Sequence, residues 1–248
     1  MSGELVSLRM LLIAAAQPDH ELWRQAALMA SIPIDFTVHD SASAAGTLAS
    51  GGADICVVDA NLPDADKIAV INAARAVTPA PLMLVSAPKG GVRPEGFDGT
   101  LTKPSNPDDA RKMIEICVRT KIPTRVLIVD DSGTTRRIVR KILSASRFAL
   151  DMHEAEEGIA AIHQLRGGNF GMVFLDYNMP GLNGFETLSE IKREYPNVAV
   201  VMMTSTIDKA VATRARSLGA FAFLKKPFYP ADIDAVLQRY YGLSAPSG

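Results

Sequence analysis

The 248-residue chain has little cysteine and almost no excess of charge of either sign. Its two cysteines, Cys56 and Cys117, form no metal-ligand spacing and no C-x-x-C pair. The 26 basic and 27 acidic residues leave a net charge of −1, which argues against a broad nucleic-acid-binding surface. No apolar run approaches the ~20 residues that cross a bilayer, and no cleavage pattern follows the apolar stretch 8–16. We therefore expect a cytoplasmic protein that binds neither membrane nor nucleic acid.

The sequence contains a long-period internal repeat. An apolar run ending in Asp-x-Asn-x-Pro, an apolar run ending in a hydroxyl residue, and a Lys-Pro pair each occur twice in the same order. The matched positions are 55–63 with 172–180, Ser86 with Thr204, and Lys103 with Lys226. Because chance does not easily produce three such matches in order, we predict two tandem copies of one domain. We assign the copies to residues 1–122 and 123–248.

Each copy alternates short apolar runs with segments of helical periodicity. Residues 126–129, for example, are uniformly apolar, as in parallel strands that are covered on both faces. Ser132 then provides a helix N-cap, and apolar residues follow it at helical spacing. Strands that alternate with helices predict right-handed βαβ units. Each copy is therefore predicted to be a flavodoxin-like (βα)5 domain, with a five-stranded parallel sheet and helices on both faces.

Three carboxylates are predicted to meet at the carboxyl edge of the second sheet, where open parallel sheets bind ligands. Asp130 and Asp131 end the first strand of this copy, and Asp176 ends the third. Two such charges ~4 Å apart repel by ~4 kcal/mol at an effective dielectric near 20. The cluster therefore either takes up protons or holds a cation, and oxygen ligands with room for water favour Mg²⁺. Thr204 and Lys226 add a hydroxyl and a positive charge, which completes a set suited to phosphoryl transfer.

The second copy resembles the receiver domain of two-component response regulators over nearly all of residues 124–242. The motifs that carry the resemblance are Val-Asp-Asp-Ser at 129–132, Asp-Tyr-Asn-Met-Pro-Gly-Leu-Asn-Gly at 176–184, Thr204, and Gly-Ala-x-Ala-Phe-Leu-Lys-Lys-Pro-Phe at 219–228. The resemblance implies that Asp176 is the phosphoacceptor and that its donor is a histidine kinase or a histidine phosphotransfer protein. It further implies that Mg²⁺ is held by Asp130, Asp131, Asp176 and the backbone carbonyl of Asn178, that Thr204 and Lys226 bind the phosphoryl oxygens, and that Thr204 and Phe223 form a conformational switch.

The resemblance also indicates how the signal leaves the domain. Residues 208–228 form the face that usually changes in this family, so we expect a downstream protein to bind there. Only residues 243–248 follow the last predicted helix, so we expect output through protein contacts or through withdrawal of phosphoryl groups from a shared kinase. Catalysis is expected to be limited to self-catalysed phosphoryl transfer and autodephosphorylation.

The first copy departs from the pattern of the second. It keeps Asp59, Ser86 and Lys103, but its first strand ends in alanines where the acidic pair would stand. Asp19 is interpreted as an acid in the first turn of a helix, and Thr100 takes the place of the aromatic residue. Glycines and prolines between Ser86 and Lys103 disfavour a regular fourth helix. We therefore expect a degenerate receiver that has lost its metal site and is not phosphorylated.

Two other classes of protein share part of this pattern. A Mg²⁺-dependent aspartyl phosphatase of the haloacid dehalogenase type uses Asp-x-Asp, but asparagine stands at the second position in both copies, as Asn178 and Asn61. A DNA-binding regulator would need a basic patch, for which the candidates are Arg136, Arg137, Arg140 and Lys141. On the first helix of a receiver such residues more often form a solvated face or a kinase-docking surface. Hydrolysis of small phosphate esters would indicate the phosphatase, and salt-sensitive duplex binding would indicate the DNA-binding protein.

Overall fold

The strands of the chain form two parallel sheets, each with five strands in the residues that the structure describes. The computed structural model describes residues 7–14, 17–91, 93–205 and 209–243. The strands of the first sheet are β1 (Leu8–Ile13), β2 (Ile34–His39), β3 (Ile55–Asp59), β4 (Leu82–Ala87) and β5 (Gly99–Thr102). Those of the second are β6 (Thr124–Val129), β7 (Leu150–Ala155), β8 (Met172–Asp176), β9 (Ala199–Thr204) and β10 (Ala222–Lys225).

Helices follow most of the strands in the chain order. The described helices of the first half are α1 (Gln17–Leu28), α2 (Ser41–Ala49), α3 (Asp64–Arg75) and α4 (Pro107–Lys121). Those of the second half are α5 (Gly133–Ser144), α6 (Gly158–Gly167), α7 (Gly184–Glu194), α8 (Lys209–Ser217) and α9 (Pro230–Tyr241). The second half thus has the predicted (βα)5 pattern in its described residues.

In its described residues, the first half lacks the helix between its fourth and fifth strands, as the glycines and prolines between Ser86 and Lys103 predicted. The described residues between β4 and β5 contain no helix. Gly90 and Gly96 in this connection have φ angles of 82° and 88°, which right-handed helices do not contain. Pro88 and Pro94 also lie there and lack the backbone N–H that a helix interior requires. The composition of the connection therefore explains the missing helix.

The strand orders confirm the flavodoxin-like prediction for both halves. The first sheet has the order β2-β1-β3-β4-β5, and the second has the equivalent order β10-β9-β8-β6-β7, read from its other edge. The central strands β3 and β8 are buried at every residue, as their uninterrupted apolar runs predict. In this topology the carboxyl ends of β6, β8 and β9 lie side by side, because these strands pair in parallel. That edge is the place where such sheets bind ligands.

The chain divides into two compact units. Among the described residues, the first unit contains those up to 121 together with 241–243, and the second contains those from 122 to 240. Each unit has its own buried apolar cluster, built around the inner strands of its sheet. Among the described residues, no helix is long and apolar enough to span a membrane.

Candidate functional site

Three carboxylates converge at the carboxyl edge of the second sheet. Asp130 and Asp131 directly follow β6, and Asp176 is the last residue of β8. One oxygen from each of the three carboxylates lies within 4.8 Å of the others. Asp130 and Asp176 are buried, whereas Asp131 is exposed. The predicted acidic cluster is therefore present, with one of its members open to water.

Lys226 lies between two of these carboxylates. Its Nζ donates to Asp130 Oδ2 at 2.6 Å and to Asp176 Oδ1 at 2.8 Å. Burial lowers the pKa of Lys226, but the hydrogen bonds to Asp130 and Asp176 outweigh it and leave the pKa raised, so the ammonium stays protonated. Burial, with the nearby Asp130, raises the pKa of Asp176 despite the opposing effect of Lys226. The cluster thus contains one protonated lysine and three acidic side chains.

The main chain around Asp176 is held tightly. The N–H of Tyr177 donates to the Met203 carbonyl at 2.8 Å, which continues the β8–β9 pairing beyond Asp176. Asn183 and Glu186 form a capping box that begins α7. Gly184 packs so closely on the preceding turn that an added Cβ would lie 2.6 Å from the Asp176 carbonyl oxygen. The turn after Asp176 therefore depends on a residue without a side chain at position 184.

The remaining predicted residues of the second copy lie at the same edge or behind it. Thr204 is fully buried at the end of β9, and β9 pairs with β8 so that Met203 faces Asp176. Asn178 lies in the connection between β8 and α7. Phe223 lies in β10 and packs, partly buried, against the apolar cluster of this unit.

The first unit contains a smaller version of this arrangement. Lys103 Nζ lies 2.7 Å from Asp59 Oδ2 and 2.7 Å from Asp19 Oδ2. Burial lowers the pKa of Lys103, but the hydrogen bonds to Asp19 and Asp59 leave it raised. Ser86 is buried and faces Asp59 across the β3–β4 pairing. Two carboxylates thus surround the lysine here, whereas three carboxylates meet in the second unit.

Asp19 is the residue of the first unit whose position the sequence did not predict. It lies in the first turn of α1, as expected, but its carboxylate also reaches Lys103. A helix that follows a strand begins at the carboxyl edge of the sheet, which places Asp19 at that edge but does not predict the direction of its side chain. Ala15 and Ala16, which stand at the end of the first strand in place of an acidic pair, lie outside the described residues.

Two of the four residues of the candidate basic patch on α5 are paired with acidic residues. Arg136 is buried and pairs with Glu154 and Glu156, and Arg140 also pairs with Glu154. The expectation that Arg136 belongs to a solvated face is therefore wrong. These ion pairs satisfy the two arginines within the second unit, which removes the main support for a DNA-binding surface on this helix.

Comparison with known proteins agrees with this geometry. The family model described as the response regulator receiver domain matches residues 126–238. The chemotaxis protein CheY-3 of Vibrio cholerae serotype O1 is 33% identical over 119 residues, which are 47% of this chain and 91% of that protein. The transcriptional regulatory protein ResD of Bacillus subtilis is 31% identical over 133 residues, which are 50% of this chain and 54% of that protein.

A solved structure resembles nearly the whole chain. It is described as a probable two-component system response regulator/GGDEF domain protein, and it matches with a TM-score of 0.56 over 95% of this chain and 98% of its own. At 18% identity this likeness concerns the fold alone. The chain belongs to the response regulator receiver family, and its function lies in two-component signalling.

Proposed function

We propose that residues 123–248 form a phosphoacceptor domain in which Asp176 receives a phosphoryl group from a histidine kinase or a histidine phosphotransfer protein. Residues 1–122 form a degenerate receiver whose Asp59 is not a phosphoacceptor. The observation that carries this proposal is the difference between the two sheet edges. Three carboxylate oxygens lie within 4.8 Å of one another in the second unit, and among the described residues no second group of three does so.

The side chains at the second edge suit an in-line transfer of a phosphoryl group. An Asp176 carboxylate oxygen forms the new bond to phosphorus while the phosphorus–nitrogen bond of phosphohistidine breaks, and the released electron pair goes to the imidazole nitrogen. Lys226 Nζ, at 2.8 Å from Asp176 Oδ1, can bind a phosphoryl oxygen. Thr204 ends the neighbouring strand and provides a hydroxyl for another oxygen. Both groups offset the negative charge of the transferred group.

The acidic cluster fits a Mg²⁺ ion. Carboxylate oxygens in close proximity, with Asp131 open to water, are the hard ligands that Mg²⁺ prefers. Asp130, Asp131 and Asp176 would hold it together with the backbone carbonyl of Asn178. When bound, the ion would neutralise charge on the phosphoryl oxygens.

Titration of the full chain with Mg²⁺ is expected to reveal one weak site, located in the second unit. NMR shifts on titration should cluster around Asp131 and Asp176. Asp131→Asn should lose measurable binding, because it removes a ligand of the proposed site. Asp19→Asn is the matched control in the first unit and should leave the titration unchanged. Two equivalent sites per chain would contradict the proposed loss of the metal site in the first unit.

Phosphorylation is proposed to reach the surface through Thr204 and Phe223. When the Thr204 hydroxyl moves to a phosphoryl oxygen, it vacates space that the Phe223 ring can enter. The phosphoryl group shifts the balance between the two conformations only by its differential affinity for them. The affected face is residues 208–228, of which residue 208 lies outside the described residues. A downstream protein would bind this face.

Thr204→Ala is expected to separate phosphorylation from the response of the surface. The variant keeps Asp176 and Lys226, so it should still be labelled by a phosphodonor. Without the hydroxyl, most of the phosphorylation-dependent change in amide hydrogen exchange over residues 209–228 should be lost. Ser86→Ala, the counterpart in the first unit, should retain the full change. An unaltered exchange response in Thr204→Ala would refute the proposed switch.

We infer two routes for output and no turnover of an external substrate. The phosphorylated domain acts through protein contacts, or it withdraws phosphoryl groups from a kinase that also serves another regulator. Self-catalysed transfer from the donor and hydrolysis of the aspartyl phosphate by water are the reactions expected of the site.

A further inference from the structure

Arg136 is an almost completely buried cation next to the acidic cluster. It lies near the start of α5 and is 9% exposed. Its Nε donates to Glu154 Oε2 at 3.0 Å and its Nη2 to Glu156 Oε1 at 2.7 Å. Its Nη1 donates to the backbone carbonyl of Asp130 at 2.8 Å. Because a buried guanidinium is costly unless its donors are paired, these contacts hold the side chain in one place.

The contact with the Asp130 carbonyl differs from the other contacts of Asp130. The Asp130 carboxylate accepts hydrogen bonds from the Ser132 N–H at 2.9 Å and from Lys226 Nζ at 2.6 Å, and these bonds orient the Asp130 side chain. Arg136 instead holds the carbonyl of the peptide that leads to Asp131. Since a peptide unit is planar, holding its oxygen also fixes the direction of the N–Cα bond of Asp131.

Asp131 differs from Asp130 in how its side chain is held. Its carboxylate is exposed, and among the described residues no side chain donates a hydrogen bond to it. Its place beside Asp130 and Asp176 is therefore set by the backbone at the end of β6. The hydrogen bond from Arg136 to the Asp130 carbonyl holds that backbone in addition to the hydrogen bonds between strands.

We propose that Arg136 is a positioning residue for the acidic cluster, which places the Asp131 carboxylate by fixing the Asp130–Asp131 peptide plane. The guanidinium acts through the backbone, and its ion pairs in the described part of the chain are with Glu154 and Glu156. The inference rests on the proposed function in so far as the cluster is taken to bind Mg²⁺.

A positioning role and a purely electrostatic role predict opposite results. Replacing Arg136 by a neutral residue removes a positive charge near the cluster, so Coulomb's law alone predicts tighter binding of a cation. Loss of the restraint on Asp131 predicts weaker binding, because one ligand is no longer preorganised. The sign of the change in Mg²⁺ affinity therefore distinguishes the two roles.

Arg140 provides a matched control on the same helix. Its Nε donates to Glu154 Oε1 at 2.6 Å, and its Nη2 donates to the Met152 carbonyl at 3.2 Å. Arg140→Gln and Arg136→Gln each remove one positive charge and one ion pair with Glu154, and Arg136→Gln also removes the ion pair with the exposed Glu156. Only Arg136→Gln releases the carbonyl of Asp130.

The test is a Mg²⁺ titration of the full chain by calorimetry, with wild type, Arg136→Gln and Arg140→Gln compared at equal ionic strength. Arg136→Gln is expected to weaken Mg²⁺ binding about tenfold, the lower end of the range for residues that orient metal ligands. Arg140→Gln should bind as wild type does or more tightly. Unchanged or tighter binding by folded Arg136→Gln would overturn the proposal.

A second measurement keeps the proposal testable whatever the metal does. In the metal-free protein, amide hydrogen exchange at Asp131 and Ser132 should accelerate in Arg136→Gln and stay unchanged in Arg140→Gln. Unaltered exchange at Asp131 and Ser132 would overturn the positioning role, whether or not the wild-type chain binds Mg²⁺. Failure of the wild-type chain to bind Mg²⁺ would instead refute the proposed metal site. Should Arg136→Gln not fold, Arg136→Lys keeps the charge but has a single nitrogen, and it should show the same two changes to a smaller degree.

Discussion

Asp176→Asn is expected to abolish labelling of the chain by beryllofluoride and by a small-molecule phosphodonor. An amide in place of the carboxylate removes the nucleophile and one of the three acidic groups that lie within 4.8 Å of one another. It also removes a carboxylate partner of Lys226, at 2.8 Å from its Nζ. Fluorescence or NMR titration with beryllofluoride, and mass spectrometry after treatment with the phosphodonor, measure the effect.

Asp59→Asn is the matched control for this loss. Asp59 ends the equivalent strand and pairs with Lys103 at 2.7 Å, so the substitution changes the same chemistry in the first unit. Labelling should remain near the wild-type level, because the first unit, in its described residues, has only two carboxylates beside its lysine and lacks the third carboxylate of the proposed metal site. Retention of most labelling in Asp176→Asn, with loss only when Asp59 is also replaced, would refute the division into one active and one silent receiver.

Gly184→Ala should cost about 2–3 kcal/mol of unfolding free energy, the upper part of the range for overpacking, and should also abolish labelling. The added Cβ would lie 2.6 Å from the Asp176 carbonyl oxygen, and 2.7 Å and 2.9 Å from Tyr177 Cα and its carbonyl oxygen. These atoms are all backbone, so the contact can be relieved only by moving the turn that carries Asp176. Urea unfolding gives the stability, and a beryllofluoride titration gives the labelling.

Gly133→Ala separates this effect from a general effect of alanine at the start of a helix. Gly133 is the first residue of α5 and follows the N-cap Ser132, just as Gly184 follows Asn183. A Cβ at Gly133 would meet arginine side-chain atoms at 3.5 Å or more, which is ordinary contact. This variant should fold with wild-type or slightly higher stability. Equal stability of the two variants would show that the close contact at Gly184 is readily relieved.

Much of the fold follows from local patterns in the sequence. Uniformly apolar runs predict central parallel strands, and β3 and β8 are buried throughout. The matched Asp-x-Asn-x-Pro segments predict two copies, and both sheets have the equivalent strand order. The convergence of Asp130, Asp131 and Asp176 could also be predicted, since parallel strands bring their carboxyl ends to one edge.

What could not be predicted depends on the directions of long side chains and on single atomic contacts. Asp19 joins Asp59 and Lys103 because the first turn of α1 brings its carboxylate to the sheet edge, which a search of the strand ends could not find. Arg136 is buried, although the adjacent Arg137 is exposed, because Glu154 in β7 and Glu156 just after it pair with Arg136. Such pairs join residues that are far apart in the sequence and have no periodic pattern.

The central claim is that Asp176, and not the matched Asp59, accepts the phosphoryl group. Its most direct test is peptide mapping by mass spectrometry of the wild-type chain after phosphorylation by a phosphodonor or a cognate histidine kinase in the presence of Mg²⁺. The account predicts one phosphoryl group per chain, on the peptide that contains Asp176, with the peptide that contains Asp59 unmodified. Modification of Asp59, alone or together with Asp176, would contradict it.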